Sequence, residues 1–177
     1  MDTGGGERRS LLGPAFPDDT GAVPDEVASA LAAYADRRGD PAAYAGAVAA
    51  LQRSRVLVPV VAVLGEVEVD EAGLAHDKTS DMAAVLLTGA DGRLALLAFT
   101  GTETLGAWDP QARPVPVPTR LAAQSAIQEG AAALVVDLAG PTTLVIEGED
   151  LAALAAGWTL ARVGERYGWI APAEGTP

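Results

Sequence analysis

The run AFTGTETLGAWDP, residues 98–110, carries more groups suited to chemistry than any other stretch of the chain. Directly after an apolar, strand-like segment it places hydroxyls, carboxylates and a Trp around a glycine. Such groups can hold a small polar ligand at the start of a helix, where unpaired backbone N–H groups point outward. The candidate binding residues in this run are Thr100, Thr102, Glu103, Trp108 and Asp109.

The same run also has a structural interpretation. Thr100 and Glu103 are three positions apart, which is the capping-box pattern of a helix start. The Thr hydroxyl would accept from a first-turn N–H, and the Glu carboxylate would accept from the N–H of Thr100. We therefore predict a short helix over about 101–108, ended by Asp109-Pro110 because residues before proline avoid the helical conformation. A carboxylate at this helix start would repel a phosphate, so an amine or a partner protein fits better.

Asp137 is the sixth candidate, at the end of the apolar run ALVV. A carboxylate that ends a buried strand can be a site residue. It can equally accept hydrogen bonds from the N–H groups of the AGPT turn that follows, and we favour this second interpretation. The alternative is a small-molecule enzyme that uses Glu103 and Asp137 as its carboxylates, which would require one deep pocket containing both.

Other patterns known from enzymes and metal sites are weak in this sequence. Residues 76–80, HDKTS, collect His, Asp and Ser in one loop, but the sequence contains no GxSxG nucleophile elbow, P-loop or GxGxxG motif. With one His and no Cys, an ordinary zinc site is excluded. Alternating acids without calcium-loop spacing are typical of a solvated strand face; they are Glu66, Glu68, Asp70 and Glu71. We expect no catalytic residue, no metal and no cofactor.

The composition limits which classes of binding partner are expected. The formal charge of −12 over 177 residues argues against nucleic acid and against an anionic membrane surface. Apolar residues make up 49 % of the chain, enough for a core, and the longest apolar run is about half of what spans a bilayer. The first ten residues lack the apolar segment of a secretory signal. We expect a cytoplasmic protein that binds an unknown protein or a small polar ligand.

Two consecutive helix patterns predict an N-terminal α-hairpin, VPDEVASALAAYADRRG followed by DPAAYAGAVAALQ. Pro24 suits the first position of the first helix, and Gly39 ends it. Asp40 is a good N-cap for the second helix. Tyr34 and Tyr44 lie on the apolar faces of these helices, and we expect both to pack on a sheet.

The middle of the chain predicts strands. Pro59 interrupts the apolar run VLVPVVAVL and indicates an edge or a bulge, because proline cannot donate to a ladder. Residues 82–88 and 93–99 flank GADG, which predicts a β-hairpin with both strands central. Residues 112–118, ARPVPVP, predict an edge strand or extended connection. Such an edge could accept a partner's strand or a second copy of the chain.

The remaining elements complete an α+β fold with a mixed, mainly antiparallel sheet of five or six strands covered by helices. TRLAAQSAIQEG predicts a helix capped by Thr119; ALVVDL and TTLVIEG predict strands, and EDLAALAAG a short helix. We expect a flexible segment over 1–20, one domain over 21–157 and a tail over 158–177. The tail keeps some helical spacing at three positions, namely Leu160, Val163 and Tyr167.

The order of these segments resembles the SseB N-terminal domain family, named for enhanced sensitivity to serine. The resemblance covers about residues 25–157 and rests on LVPV, on DKTSDM…DGRLALLAFTGTETLGAW and on VVDLAGP. It implies a compact α+β domain without an assigned reaction. The family label has also been linked with type III secretion, but the sequence lacks the long amphipathic helices of a translocon protein.

We therefore expect a non-catalytic binding or regulatory module. Its surface would combine TGTETLGAW, ARPVPVP and the loop over 70–81, with Trp108 as an exposed binding residue. The carboxylate enzyme and a secretion-associated role are the alternatives.

Overall fold

A computed structural model describes residues 16, 18–63 and 81–173 and shows an α+β fold. The helices are α1 (Asp25–Asp36), α2 (Pro41–Gln52), α3 (Thr102–Trp108), α4 (Thr119–Gln128) and α5 (Gly148–Ala155). The strands are β1 (Arg55–Val63), β2 (Asp81–Ala84), β3 (Leu86–Thr88), β4 (Leu94–Ala98), β5 (Arg113–Pro118), β6 (Ala133–Val136), β7 (Leu144–Glu147), β8 (Thr159–Val163) and β9 (Arg166–Ile170). Within these residues no helix has the length and apolar character needed to cross a bilayer.

The strands form three sheets rather than one sheet of five or six strands. An antiparallel sheet has the order β2-β1-β5, a mixed sheet has the order β3-β4-β6-β7 with β4 and β6 parallel, and β8-β9 form a hairpin. The first two sheets meet where Leu57 and Phe99 exchange backbone hydrogen bonds of 2.7 and 2.8 Å. Beyond that point the two strands diverge. β1 then pairs with β2, and β4 pairs with β3.

The predicted hairpin strand over 82–88 is therefore two strands, with Val85 between them. The N–H of Val85 donates to the carbonyl of Pro59 (3.1 Å), while its own carbonyl accepts from Leu97 (3.2 Å). β2 pairs with β1, and β3 pairs with β4 at the edge of its sheet, where Leu87 is exposed. The expectation that both hairpin strands are central is wrong for the first of them, because β2 and β3 each lie at the edge of a sheet. A run that is apolar throughout contains no signal for a change of sheet.

Prolines control the edge of the three-stranded sheet. β5 is an edge strand, as the ARPVPVP pattern predicts. Leu57 directs its N–H and C=O to Phe99, so its pair with Pro116 is a non-hydrogen-bonded one. The ring nitrogens of Pro114 and Pro116 consequently face the open edge, which lacks N–H donors at these positions. This edge is blunted against strand addition.

Pro59 lies in the central strand β1, opposite Pro114, and not at an edge. The prediction that Pro59 marks an edge is wrong. Its pair with Pro114 is a non-hydrogen-bonded one, so β5 needs no N–H from it, and on the other side of β1 the carbonyl of Val85 accepts from Leu97 instead. Neither strand therefore loses a ladder hydrogen bond because of these prolines.

The N-terminal α-hairpin is confirmed. Asp40 caps α2 by accepting from the N–H of Ala42 at 2.9 Å, and the rings of Tyr34 and Tyr44 pack edge to face with centroids 6.1 Å apart. Pro24 is the N-cap residue of α1 rather than its first residue.

The start of α4 also differs from its prediction by one residue. Pro118 is the N-cap and Thr119 is the first helical residue. The hydroxyl of Thr119 donates to the carbonyl of Ser54 at 3.0 Å, so it ties α4 to the chain before β1 instead of capping the helix.

The core has two parts, one on each face of the four-stranded sheet. The larger part lies under α1, α2, α4 and α5 and includes Leu51, Leu96, Leu134 and Ile146, all fully buried. The smaller part, on the alternate side chains, is a cluster with Phe99 at its centre and α3 over it. α3 is thereby held at the carboxyl end of β4.

The residues after α5 form the β8-β9 hairpin, so the helical spacing in the tail was misleading. The side-chain amide of Gln52 exchanges two hydrogen bonds with the backbone of Leu160, of 2.7 and 2.8 Å, which ties β8 to α2. Leu160 is buried and joins the main core. The predicted flexible segment over 1–20 lies mostly outside the described residues.

Candidate functional site

Asp137 directly follows β6 in an uncommon backbone conformation. It has a φ of 54°, and among the described residues it alone combines a positive φ with a side chain. Asp tolerates this left-handed region better than most residues. Its N–H donates to the carbonyl of Ala98 (3.0 Å), and its carbonyl accepts from the N–H of Gly140 (2.9 Å). The backbone is thus fixed by β4 on one side and by the turn on the other.

The carboxylate of Asp137 binds the start of α3 and not the turn that follows it. Oδ1 accepts from the N–H of Thr100 (2.8 Å) and from the hydroxyl of Thr104 (2.6 Å). Oδ2 accepts from the hydroxyl of Thr100 (2.6 Å). Asp137 and Thr100 are 2 % and 1 % exposed, so the two contacts between them are shielded from water, while the contact with Thr104 is partly buried. The expected contacts with the N–H groups of the AGPT turn are made by the main-chain carbonyl instead.

The predicted capping box is wrong, although the helix itself is confirmed as α3. Gly101 is the N-cap residue, and no side chain caps the helix. Thr100 turns to Asp137, and the side chain of Glu103 is exposed. A buried carboxylate from a neighbouring strand outcompetes the local pattern, because leaving it unpaired would cost more than leaving exposed N–H groups to water.

Gly101 is required by close packing. A Cβ atom there would lie 2.8 Å from the side chain of Val23 and 3.1 Å from the carbonyl of Gly21. That carbonyl accepts from the N–H of Thr102 at 2.8 Å. The chain that leads into α1 therefore covers the start of α3 and supplies part of its cap.

Arg55 completes the site, and sequence reasoning did not identify it. It is 7 % exposed at the start of β1. Its guanidinium binds Asp19 at two points, Nε to Oδ2 (2.8 Å) and Nη2 to Oδ1 (2.9 Å), and also donates to the carbonyls of Ala22 (2.7 Å) and Thr100. These bonds from Arg55 hold the pKa of Asp19 below its usual value, although burial acts in the opposite direction. The one sequence signal for this residue was the position of Arg55 directly before the apolar run VLVPV, where a charged side chain is drawn towards the core.

These side chains form one continuous set, which we call the Asp137 network. Its members are Asp19, Arg55, Thr100, Thr104 and Asp137. The network joins the segment before α1 to β1, α3 and β6. Among the described residues, every buried side-chain nitrogen or oxygen has a hydrogen-bond partner. The network is therefore internally satisfied, as expected for groups that hold elements together.

A cleft of about 390 Å³ lies beside the Asp137 network. Thr100, Thr104 and Asp137 line it on one side. The opposite wall comes from α1 and is mainly apolar, and the exposed Asp36 also lines the cleft; the remaining lining residues are Val23, Ala28, Leu31, Ala32, Ala35, Pro141 and Thr142. The volume falls in the range of small-molecule sites, and an apolar wall with a few convergent polar groups is their usual composition.

The structure brings together Thr100 and Asp137 but not the other predicted site residues. Glu103, Trp108 and Asp109 do not line the cleft. Asp109 ends α3 and accepts from the N–H of Gln111 at 2.8 Å. Thr102 contacts the segment before α1. The loop over 70–80, including HDKTS, and the acids of 66–71 lie outside the described residues.

The structure does not leave Trp108 exposed on the surface. It is partly buried and packs on Phe99 with ring centroids 5.5 Å apart, at the border of the smaller core. These contacts hold α3 on the sheet, and the suggested role of Trp108 in partner capture stays a prediction.

Comparison with known proteins places this domain. The family model of the SseB protein N-terminal domain matches residues 27–153. The chain belongs to the SseB N-terminal domain family. The matched region of this SseB domain runs from α1 to α5, includes Arg55, Thr100, Thr104 and Asp137, and ends before the β8-β9 hairpin. No curated protein and no solved structure matches the chain.

Proposed function

We propose that this SseB-domain protein is a non-catalytic binding or regulatory module whose ligand occupies the cleft beside the Asp137 network. The observation that carries the proposal is the set of hydrogen bonds that the Asp137 carboxylate already accepts. Three donors from the start of α3 already occupy its two oxygens. A general base takes up a proton, and a proton on Asp137 would remove the charge that strengthens the contacts positioning α3.

The lining of the cleft suggests the ligand class. Asp36 and Asp137 contribute negative charge, and the wall from α1 is built of small apolar side chains. An anion would meet two carboxylates in this cleft. A small polar ligand with an amine and a short apolar part fits both the charge and the volume. The amine would bind Asp36, because Asp137 is occupied.

The carboxylate-enzyme alternative has less support. It requires Glu103 and Asp137 in one pocket, but the exposed Glu103 does not line the cleft. A homo-oligomer through the β5 edge is also disfavoured, because prolines remove the donors that a second copy would need. The expected cytoplasmic location rests on the sequence, whose lack of Cys fits a reducing compartment.

The proposal is tested by ligand screening with a variant that fills the cleft. Amino acids, serine first, and small primary amines are screened for a rise in melting temperature and for shifts in ¹H–¹⁵N spectra. Ala32 is exposed on the cleft wall, so Ala32→Phe should abolish the effect without disturbing the network. Ser29→Phe is the matched control, because Ser29 is exposed on the same helix but does not line the cleft.

Two outcomes would contradict the proposal. Binding that survives Ala32→Phe would place the ligand elsewhere. Chemical turnover of a bound compound, lost in Asp137→Asn with the fold intact, would make the protein an enzyme.

A further inference from the structure

A second cleft, of about 410 Å³, lies between α2, the start of α5 and the β8-β9 hairpin. Its distinctive lining is aromatic. The whole chain has three Trp, three Tyr and two Phe, and three of these eight rings line this one cleft. They are Tyr44 from α2 and Tyr167 and Trp169 from β9. Tyr34 packs edge to face on Tyr44 and extends the group.

Carboxylates accompany these rings. Asp150, in the first turn of α5, accepts from the indole N–H of Trp169 at 2.7 Å. Glu165 lines the cleft from the hairpin turn. Burial, followed by the negative charge of Asp150, raises the pKa of Tyr44 above its ordinary value. Arg166, which is exposed, is the cation among the lining residues. The cleft is therefore lined by two carboxylates and one exposed guanidinium, which leaves it a net negative charge.

Aromatic faces beside carboxylates form the usual receptor for an alkylated ammonium group. The ring quadrupole attracts the cation, the ring surface buries its alkyl groups, and the carboxylates supply long-range attraction. Anions are repelled by the same arrangement. All three rings pack against the main core, and each stays partly exposed where it lines the cleft.

We propose that this aromatic cleft binds an organic cation with an alkylated ammonium head. The site goes beyond the SseB domain, because Tyr167 and Trp169 lie outside the matched residues 27–153. The hairpin thus adds a binding wall to the family domain. The cleft is distinct from the one beside the Asp137 network, so either proposal can fail without the other.

The experiment uses the full chain and follows the three indole N–H signals in ¹H–¹⁵N spectra, assigned by single Trp→Phe variants. The probes are choline, its neutral isostere 3,3-dimethyl-1-butanol, and a peptide with trimethyl-lysine, with sodium chloride as the salt control. We expect choline to shift the Trp169 indole signal, and the neutral isostere to bind about threefold to thirtyfold more weakly. Tighter binding of the peptide than of choline would identify a protein side chain as the source of the same group.

Single substitutions separate the contributions of the carboxylates and of the aromatic rings to choline binding from effects on the fold. Glu165→Gln and Asp150→Asn should each weaken choline binding several-fold, and Asn can still accept from the indole. Tyr167→Leu should weaken it, and Tyr167→Phe should retain it. Trp158→Leu is the control, because Trp158 is 42 % exposed and outside the cleft.

Two results would overturn the proposal. One is the absence of any shift of the Trp169 signal beyond that caused by sodium chloride. The other is equal binding of choline and its neutral isostere, which would make the cleft an ordinary apolar groove.

Discussion

Replacing Asp137 by Ala should destabilise the domain strongly, because one carboxylate holds three donors at the start of α3. The buried N–H of Thr100 loses its partner, at a cost of about 1–3 kcal/mol, and hydrogen bonds to a charged group contribute about 1.5–3 kcal/mol each. The hydroxyl of Thr104 can still bind the carbonyl of Gly101, 3.1 Å away. Relief of a buried charge offsets part of the loss. We expect a net decrease of about 3–4 kcal/mol in the free energy of unfolding.

Two companion substitutions separate the side chain from the backbone. Asp137→Asn keeps an acceptor and tolerates a φ of 54°, so it should cost only about 1–2 kcal/mol. Asp137→Gly loses the same hydrogen bonds as Ala but adopts positive φ without strain, and should be about 1 kcal/mol more stable than the Ala variant. The expected order of stability is Asn, then Gly, then Ala.

Urea unfolding followed by far-ultraviolet circular dichroism measures these differences. Ser125 is not part of the network, and Ser125→Ala in α4 serves as a control for ordinary substitution. An Ala variant within about 1 kcal/mol of the wild type would contradict the role of this carboxylate. So would equal losses for Asn and Ala, since they would show that the acceptor contributes nothing.

Three further predictions concern other parts of the fold. Trp108→Ala should lower the free energy of unfolding by about 2–3 kcal/mol in the same assay, because truncating a fully buried Trp costs about 3–5 kcal/mol and Trp108 is partly exposed. An unchanged stability would show that Trp108 is a surface residue. The lowered pKa of Asp19 means that its pair with Arg55 stabilises the fold at pH above about 4 and is lost as the pH falls below 3.8. Asp19→Asn should therefore flatten the loss of stability between neutral and acid pH, and an unchanged pH profile would contradict the pairing. The double substitution of Pro114 and Pro116 by Val should restore N–H donors on the β5 edge and promote self-association, measured by light scattering; a variant that stays as monomeric as the wild type would argue against edge blocking.

Local signals in the sequence predicted the elements that depend on neighbouring residues. Asp40 followed by Pro41 marked the start of α2 correctly, and the ARPVPVP pattern marked an edge strand. The short helix after Phe99 was also predicted at nearly its true length. In each case the deciding interaction lies within a few positions along the chain.

Interactions between distant residues explain the failures. Thr100 matched a capping box, but its partner, Asp137, lies 37 positions away. Arg55 pairs with Asp19, 36 positions earlier, in a segment that the sequence suggested to be flexible. The split at Val85 depends on where β1 and β4 diverge, which no local pattern records. Some residues of the Asp137 network could therefore be identified from the sequence, but the hydrogen bonds and ion pair between them could not.

Whether the protein binds its ligand without converting it is tested most directly by a time course of ¹H spectra of a compound that passes the thermal screen, recorded with ¹⁵N-labelled protein. The same sample reports both where the compound binds and whether it changes. For a non-catalytic module we expect amide shifts for Ala32, Thr100 and Thr104, which line the cleft, and a ligand spectrum that stays constant. Consumption of the compound, or shifts confined to residues away from this cleft, would contradict it.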